Sequence, residues 1–500
     1  MAHRSRDGAF RDGVSARTHG ESHARVLALA WALVERGIGP GDRVALVVES
    51  TADAVEAYLA VNVAGATAVQ VNDRLQVAEV AEILDAVTPR AVVHTAGHGP
   101  RLELLLTGSG LDIVSIGGAV SGTTIDVASL PVVPGASVPR VAVDPDAPSV
   151  IGFTSGTTGL PKGVVHTHAG IGRIVRHMPS HDGFRWGSRC AMTGTLAFAA
   201  GIWGVVLPHL YVGGEISWMA GLPAEEWVDR MVRERSTFTY APTPLFGSFA
   251  DAVRARPEVL ESLEVVLHSG SAATREATES LVDAVGGRFT ETYGMTETGA
   301  PVTTTVPDDW APWSQADDVL SSAGRVLPMA RVLVLGADGA EAAPGEVGDL
   351  VVDSPFVFDG YWNDPEQTAE TLRDGLLHTG DRGRVDDAGY VYVSGRSKDM
   401  IVTGGMNVYP AEVERVLAQA DGVADVAVFG VGHERWGETV AAAVVARPGR
   451  TLDVDAVLAF ARERLAGYKK PTVVHVVDEL PRNTNLKVRK DVLRERYDPS

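Results

Sequence analysis

The sequence predicts an α/β protein, with a large N-terminal domain of α/β subdomains holding parallel-rich sheets plus a β-rich subdomain, followed by a small α+β C-terminal domain. Three observations predict it. Helical and β-branched runs alternate from His23 onward, the texture changes to short strands between 330 and 395, and a new strand-and-helix rhythm begins after Lys398. In order, apolar residues recur at helical spacing from His23 to Val34, GIGPGDRVALVVES turns into a buried strand, and ADAVEAYLAVNVAGA gives the next helix. AVVH (91–94) and DIVSIGG (112–118) continue an alternation typical of sheets covered on both faces. ARVLVLG, GDLVVDS and GYVYVSG, separated by Gly, Asp and Pro turns, make the β-rich stretch at 330–395. Beyond it, helix PAEVERVLAQ, strands ADVAVFGV and ETVAAAVVA, helix DVDAVLAFARERL and strand PTVVHVVDEL form a unit of about a hundred residues, an ordinary domain size. The main boundary falls near Arg396–Lys398, dividing 1–397 from 398–500.

Composition narrows the function. A chain of 500 residues with 45% hydrophobic content can bury substantial cores, and 44 basic against 64 acidic residues give a net charge of −20. No chain-wide basic field exists to hold nucleic acid or an anionic membrane. Cys190 is the only cysteine, which excludes an intrachain disulfide and a thiolate metal cage and fits a reducing compartment, with the cytoplasm as the expectation. The basic start MAHRSRDGAFRDG is followed by no apolar stretch, and no apolar run is long enough to span a membrane. The charge balance turns positive only within 462–496, a stretch suited either to a phosphate-bearing ligand or to solvent.

The most informative stretch is IGFTSGTTGLPKGVVHTH (151–168). Its strand-like lead-in runs into Thr154, Ser155, Gly156, Thr157, Thr158 and Gly159, then Pro161, Lys162 and Gly163. Small residues let backbone N–H groups crowd an anion while hydroxyls and an ammonium add donors, so the loop is built to hold phosphates. It is not the GxxxxGK[ST] loop of P-loop ATPases, because Lys162 stands between Pro161 and Gly163. HSGSAA (268–273) reads as a strand-to-helix turn in which Gly270 permits close approach of a ligand. ETYGMTETG (291–299) offers a ring, a hydroxyl and a carboxylate in Tyr293, Thr296 and Glu297, and GLLHTGDRG (375–383) an acidic side chain in Asp381. GRSKDMIVTGGMNVYPAEVE (395–414) and LPRNTNLKVRKDVLR (480–494) complete the set. His166 and His168, without carboxylate or cysteine companions, read as structural rather than metal-binding.

These segments, in this order from about Thr18 to Arg494, resemble the adenylate-forming superfamily of acyl- and aryl-CoA synthetases, adenylation domains and beetle luciferases. The resemblance implies an enzyme with a mobile C-terminal domain that activates a carboxylic acid with ATP, releases pyrophosphate and passes the acyl group to a thiol. It implies that the phosphate loop and Lys162 hold the triphosphate, and that Gly270, Ser271 and Ala272 border the adenine and the acyl group. By the same resemblance Tyr293, with Gly294 and Met295 beside it, stacks on adenine, Thr296 contacts the α-phosphate and Glu297 holds Mg²⁺. Asp381 would grip the ribose hydroxyls, Arg396 reach ribose or phosphate oxygens, Lys398 serve as the hinge, and Gly404 and Gly405 pass a pantetheine arm. The implied catalytic residues are Thr296, Lys162 and Lys487, the last a flexible cation able to bridge carboxylate and α-phosphate. Before it, the superfamily's usual Ser-Gly is replaced by Asn485-Leu486.

The segment GTLAFAAGIWG (194–204) resembles the acyl gate, with Phe198 at the gate. Ala199 stands where amino-acid activators carry Asp and many aryl-acid activators Asn, which argues against an α-amino acid and weakens a hydroxybenzoate reading. Trp203, Phe246, His268 and Met295 are candidates to line a mainly apolar cavity suited to a fatty, alicyclic or aromatic acid. The implied acceptor is coenzyme A, and the alternative is the phosphopantetheine thiol of an acyl carrier protein. A non-catalytic nucleotide-binding relative is the least supported reading, because Lys162, Glu297, Asp381, Arg396 and Lys487 are intact. Two departures stand out. The short stretch before the first helix predicts a missing N-terminal strand or helix, and DDWAPWSQADD (308–318) is an acidic insertion readable as a pocket lid or a solvated loop.

Overall fold

The structure, a computed structural model, describes residues 8–12, 15–154, 162–197, 201–270, 273, 275–311, 314, 316, 318–396, 399–403, 406–408, 410–433, 436–465, 467–483 and 486–498. The first long helix, His19–Glu35, begins where Thr18 and Glu21 form a reciprocal capping box, and its Val26, Leu29, Ala30 and Leu33 face the core. Helix Ala52–Val63 lies beside it, tied through Asp53 and Glu56 to Arg17 and Arg25.

Two large sheets carry most of the chain. One has eight strands in the order Gly360–Tyr361, Lys162–Thr167, Pro148–Thr154, Thr67–Val71, Arg43–Val47, Ala91–Thr95, Asp112–Ile116 and Ile125–Asp126. Its strands from Pro148–Thr154 onward are parallel, and their Val and Ala runs are buried, as a sheet covered on both faces requires. The other has nine strands, with a parallel centre of Glu215–Trp218, Arg189–Met192, Phe238–Tyr240, Val265–His268 and Phe289–Tyr293.

The expected N-terminal gap is corrected by the structure. Gly8–Asp12 pairs in parallel with Glu215–Trp218 and antiparallel with Ser15–Thr18, burying Ala9 and Phe10. Strands of four or five residues leave too few turns of pattern to be read from sequence alone.

The β-rich stretch forms an antiparallel sheet from Arg331–Leu335, Gly348–Asp353, Leu376–Val385 and Val391–Arg396. The strands after it belong to a separate sheet of Met406–Val408, Ile401–Thr403, Gly437–Ala446, Val423–His433 and Val473–Val477. Alternate residues of its long strands point to opposite faces. Val428, Val440, Ala442 and Val444 meet helices Pro410–Leu417 and Val454–Arg464, while Phe429, Ala441 and Ala443 meet Leu493 of the last helix, Lys490–Tyr497. Among the described residues, no helix is long and apolar enough to cross a membrane.

Candidate active site

The phosphate-loop segment joins two antiparallel strands of the eight-stranded sheet, with Thr154 directly opposite Lys162. It is therefore a hairpin connection, unlike the strand-to-helix turn of a P-loop. Residues 155–161, which include Ser155, Gly156, Thr157, Thr158 and Gly159, lie outside the described residues. Lys162 Nζ donates to Gln367 Oε1 at 2.6 Å and lies 5.2 Å from the centre of the Tyr361 ring. Tyr361 Oη in turn donates to Glu297 Oε1 at 2.8 Å. One aromatic side chain thus links the ammonium to the carboxylate expected to hold the metal.

Glu297 is only 5% exposed, and its second carboxylate oxygen takes no protein hydrogen bond among the described residues. A single hard oxygen beside a phosphate loop fits Mg²⁺, which keeps several waters and completes its shell with substrate phosphates. Among the described residues no group of three or more His, Cys, Asp or Glu could cage a metal without such phosphates.

Thr296 opens the short turn Thr296–Thr298, and its carbonyl accepts from His166 Nε2 at 2.8 Å. Burial holds His166 below the ordinary histidine range, so its ring is neutral, and because a carbonyl can only accept, the proton sits on Nε2. His166 is thus structural, as its sequence context suggests, yet its position sets the turn that presents Thr296. The edge of His166 meets Trp203, ring centres 5.4 Å apart.

Tyr293 ends a parallel strand and donates from Oη to Asp381 Oδ2 at 2.7 Å. Asp381 is buried, its N–H bonded to Thr379 Oγ1 at 3.0 Å, and on the adjacent strand it stands directly opposite Arg396. The expected adenine platform and ribose grip are therefore already joined by a hydrogen bond. A Cβ on Gly294 would be tight, 3.0 Å from Thr298 Oγ1 and 3.1 Å from the Ala300 carbonyl oxygen. Met295 lies half-buried, its N–H bonded to Thr298 Oγ1 at 2.9 Å. Gly270 sits at φ +91°, a left-handed conformation that glycine adopts without strain, and Tyr240 Oη beside it donates to the Ser269 carbonyl at 3.0 Å.

The structure packs three of the candidate cavity side chains tightly. Phe246 and His268 are fully buried, with ring centres 4.7 Å apart, and His268 is committed to Glu291 Oε2 at 2.6 Å and Thr243 Oγ1 at 2.8 Å. Strand alternation puts His268 on the face of Val266, toward the helices that bury Phe249 and Phe289, so both rings pack the core beneath the Ser269–Gly270 turn. Trp203 is also fully buried, against Gly152. Phe198 and Ala199 lie outside the described residues.

The 308–318 insertion is anchored where it is described. Asp309 is buried and accepts from Tyr390 Oη at 2.6 Å and Arg325 at 3.0 Å, and Trp310 Nε1 donates to the Phe289 carbonyl at 2.8 Å. Neither residue behaves as part of a solvated loop.

Lys487 is exposed, on a tight loop of the small unit in which Asn483 N–H donates to the Lys487 carbonyl at 2.8 Å and Lys487 N–H to Asn483 Oδ1 at 2.9 Å. Leu486 just before it has φ +60°, a conformation that glycine would adopt freely. Nearby cations have local partners, Arg489 with Asp491, Lys490 with Glu414 and Lys469 with Glu412. Ser271, Ala272, Lys398, Gly404, Gly405 and the side chain of Arg396 are not described. Sequence reasoning missed Tyr361, Gln367 and Tyr240. No motif marks them, and only their spacing from Lys162, Glu297 and Gly270 in three dimensions shows their part.

Residues 2–362 match the family described as AMP-binding enzyme, and residues 412–487 match the AMP-binding enzyme C-terminal domain. The chain belongs to the AMP-binding enzyme family. That membership and its likeness to CoA ligases along nearly the whole chain together mark an AMP-forming acid–thiol ligase. A feruloyl-CoA synthase of Amycolatopsis sp is 34% identical to this AMP-binding enzyme over 489 residues, 98% of this chain and 96% of that one. The fatty acid–[acyl-carrier-protein] ligase ScoC of Streptomyces coeruleorubidus is 32% identical over 492 residues, 96% of this chain and 91% of its own. Among solved structures, ATP-bound MatB from Rhodopseudomonas palustris superposes with a TM-score of 0.90 at 28% identity, covering 100% of this chain and 97% of that one.

Proposed function

We propose that this AMP-binding enzyme is an ATP-dependent carboxylic acid–CoA ligase that forms an acyl-adenylate with release of pyrophosphate and then a thioester. Its acid is apolar, fatty, alicyclic or aromatic, and not an α-amino acid. The observation that carries the reading is the chain from Lys162 through Tyr361 to Glu297, set beside the Tyr293–Asp381 pair. Attack of a carboxylate on an α-phosphate brings two anions together, so the protein's task is to neutralise charge and align the displacement. Lys162 meets the triphosphate, Glu297 holds Mg²⁺, which supplies charge neutralisation when bound, and Thr296 faces the α-phosphate. Asp381 and Arg396 hold the ribose and Tyr293 stacks on the adenine.

Lys487, arriving from the small domain, covers the developing negative charge. In this reading the domains divide at 397/398, Lys398 is the hinge, and rotation replaces Lys487 by the Gly404–Gly405 segment for thiol entry. The enzyme would work in the cytoplasm, where ATP and CoA are supplied. The ScoC likeness favours one second reading, in which a carrier protein's phosphopantetheine is the acceptor.

The test is acid-dependent pyrophosphate release with CoA, a holo-carrier protein or hydroxylamine as acceptor. Thioester formation with CoA supports the ligase, and transfer to the carrier but not to CoA supports the second reading. Absence of acid-dependent release across fatty, alicyclic and aromatic acids would overturn both.

A further inference from the structure

Resting on the ligase reading, we infer that Gln367 is a positioning residue for Lys162. Its neutral amide holds the ammonium in place without neutralising it, so the full charge stays available to the triphosphate. Gln367 lies on the short helix Pro365–Thr371, whose start is fixed where Asp364 Oδ1 accepts the Gln367 N–H at 3.0 Å. That helix follows Gly360–Tyr361, which pairs antiparallel with the strand beginning at Lys162, and Trp362 N–H donates to the Gly163 carbonyl at 2.7 Å. Backbone bonds therefore bring the two side chains together. Both ends of the amide are assigned by their partners. Lys162 Nζ can only donate, so the Gln367 oxygen faces it, at 2.6 Å, and the nitrogen faces Glu370, whose Oε2 accepts from Nε2 at 2.9 Å. A carboxylate thus orients the amide, and the amide orients the ammonium.

Among the described residues Lys162 makes no ion pair. Two carboxylates stand one side chain away, Glu370 at the far end of the Gln367 amide and Glu297 at the hydroxyl of Tyr361, whose ring centre is 5.2 Å from Nζ. Each is linked to the ammonium through a neutral group. The distinction matters because a hydrogen bond between two ionised groups is roughly twice as strong as one to a neutral acceptor. A carboxylate bound directly to Lys162 would compete with the incoming phosphate oxygens for the same charge, whereas an amide oxygen yields to them. Gln367 also keeps the flexible lysine side chain from sampling other rotamers before the nucleotide arrives, which lowers the ordering cost of binding.

The experiment compares Gln367→Glu, the near-isostere, with Gln367→Leu, using the acid that the wild-type enzyme turns over best. It reads the KM for ATP, the KM for the acid, and thioester formation from a supplied acyl-adenylate. Gln367→Glu is expected to raise the KM for ATP roughly tenfold, and Gln367→Leu, which leaves the ammonium unpaired, less than about threefold. In both variants the KM for the acid changes less than about twofold, as does the thioester step, whose substrate has already lost its pyrophosphate. In a Lys162→Ala background the two variants no longer differ in KM for ATP. An amide with a merely structural role predicts the reverse order, because Glu keeps the shape that Leu loses. That order, an equal rise in both variants, a difference that survives Lys162→Ala, or loss of the thioester step overturns the role of Gln367 while leaving the ligase reading intact. Absence of acid-dependent pyrophosphate release from the wild-type enzyme across fatty, alicyclic and aromatic acids overturns the ligase reading and this inference with it.

Discussion

The two halves of the candidate site are held in different ways. On the large unit, four described groups expected to meet the nucleotide are each fixed by a neighbouring side chain: Lys162 by Gln367, Glu297 by Tyr361, Thr296 by His166, and Asp381 by Tyr293. On the small unit, Lys487 sits exposed on a tight loop behind a left-handed Leu486. The difference teaches where preorganisation is spent. In the proposed reading, groups that aim at fixed phosphate and ribose oxygens are braced by neighbouring side chains, whereas the group proposed to arrive and leave is carried on a short exposed loop held by its own local hydrogen bonds.

The largest expected effect removes the travelling half altogether. Lys487→Ala lowers acid-dependent ATP–pyrophosphate exchange about 10²- to 10³-fold and spares thioester formation from a supplied acyl-adenylate. Equal losses in both half-reactions would show that Lys487 is not confined to the first step and would break the contrast.

Next in size is an acid limit on the braced half. Burial pushes the pKa of His209 down to about 4, with Phe184 and Phe238 against its ring. The unfolded chain binds that proton near pH 6.5, so this part of the stability is fully present above pH 6.5 and declines as the pH falls toward the folded value. The loss between pH 7 and pH 5 is about 2 kcal/mol. Denaturant titrations at the two pH values should show that slope, and His209→Asn should flatten it whatever its effect at pH 7.

A smaller change loosens a single brace. Tyr361→Phe deletes the hydroxyl on Glu297 and should raise the Mg²⁺ concentration for half-maximal activity roughly tenfold with little change in KM for the acid. An unchanged Mg²⁺ dependence would separate Tyr361 from the metal carboxylate. The smallest effect sharpens the comparison from the other side. Leu486→Gly relieves a left-handed side chain that is 43% exposed and should stabilise the small domain by up to about 1 kcal/mol in thermal unfolding, with adenylation changed less than about threefold.

The sequence disclosed the alternating sheets, the β-rich stretch and the order of the C-terminal elements because each rests on repeated local pattern. Helix His19–Glu35 even announces its start through Thr18 and Glu21. Of the candidate site, residues within continuous motifs were legible, as Thr296, Glu297, Tyr293 and Asp381 illustrate. Their braces were not, because Tyr361 is 64 residues from Glu297 and Tyr293 is 88 from Asp381, and pairings of that range leave no periodic trace. The packing of Phe246 and His268 was hidden for a related reason. Apolar and aromatic residues near a functional turn look alike in sequence whether they line a cavity or seal the core under it, and only strand alternation in the folded sheet separates the two.

The cross-strand pairing of Asp381 with Arg396 bears on what stays bound during the working cycle. Arg396 is the last residue of its strand, two positions before the proposed hinge at Lys398. In any swinging lever the arc travelled grows with distance from the pivot. In the proposed reading the nucleotide's sugar, gripped beside the hinge, would lie at the still end of the motion, and Lys487, far along the chain from it, would ride the moving one. On that proposal the protein would keep its hold on the adenylate's sugar while the tool above it is exchanged, and the handover from acid activation to thiol attack would require no release of the intermediate to water.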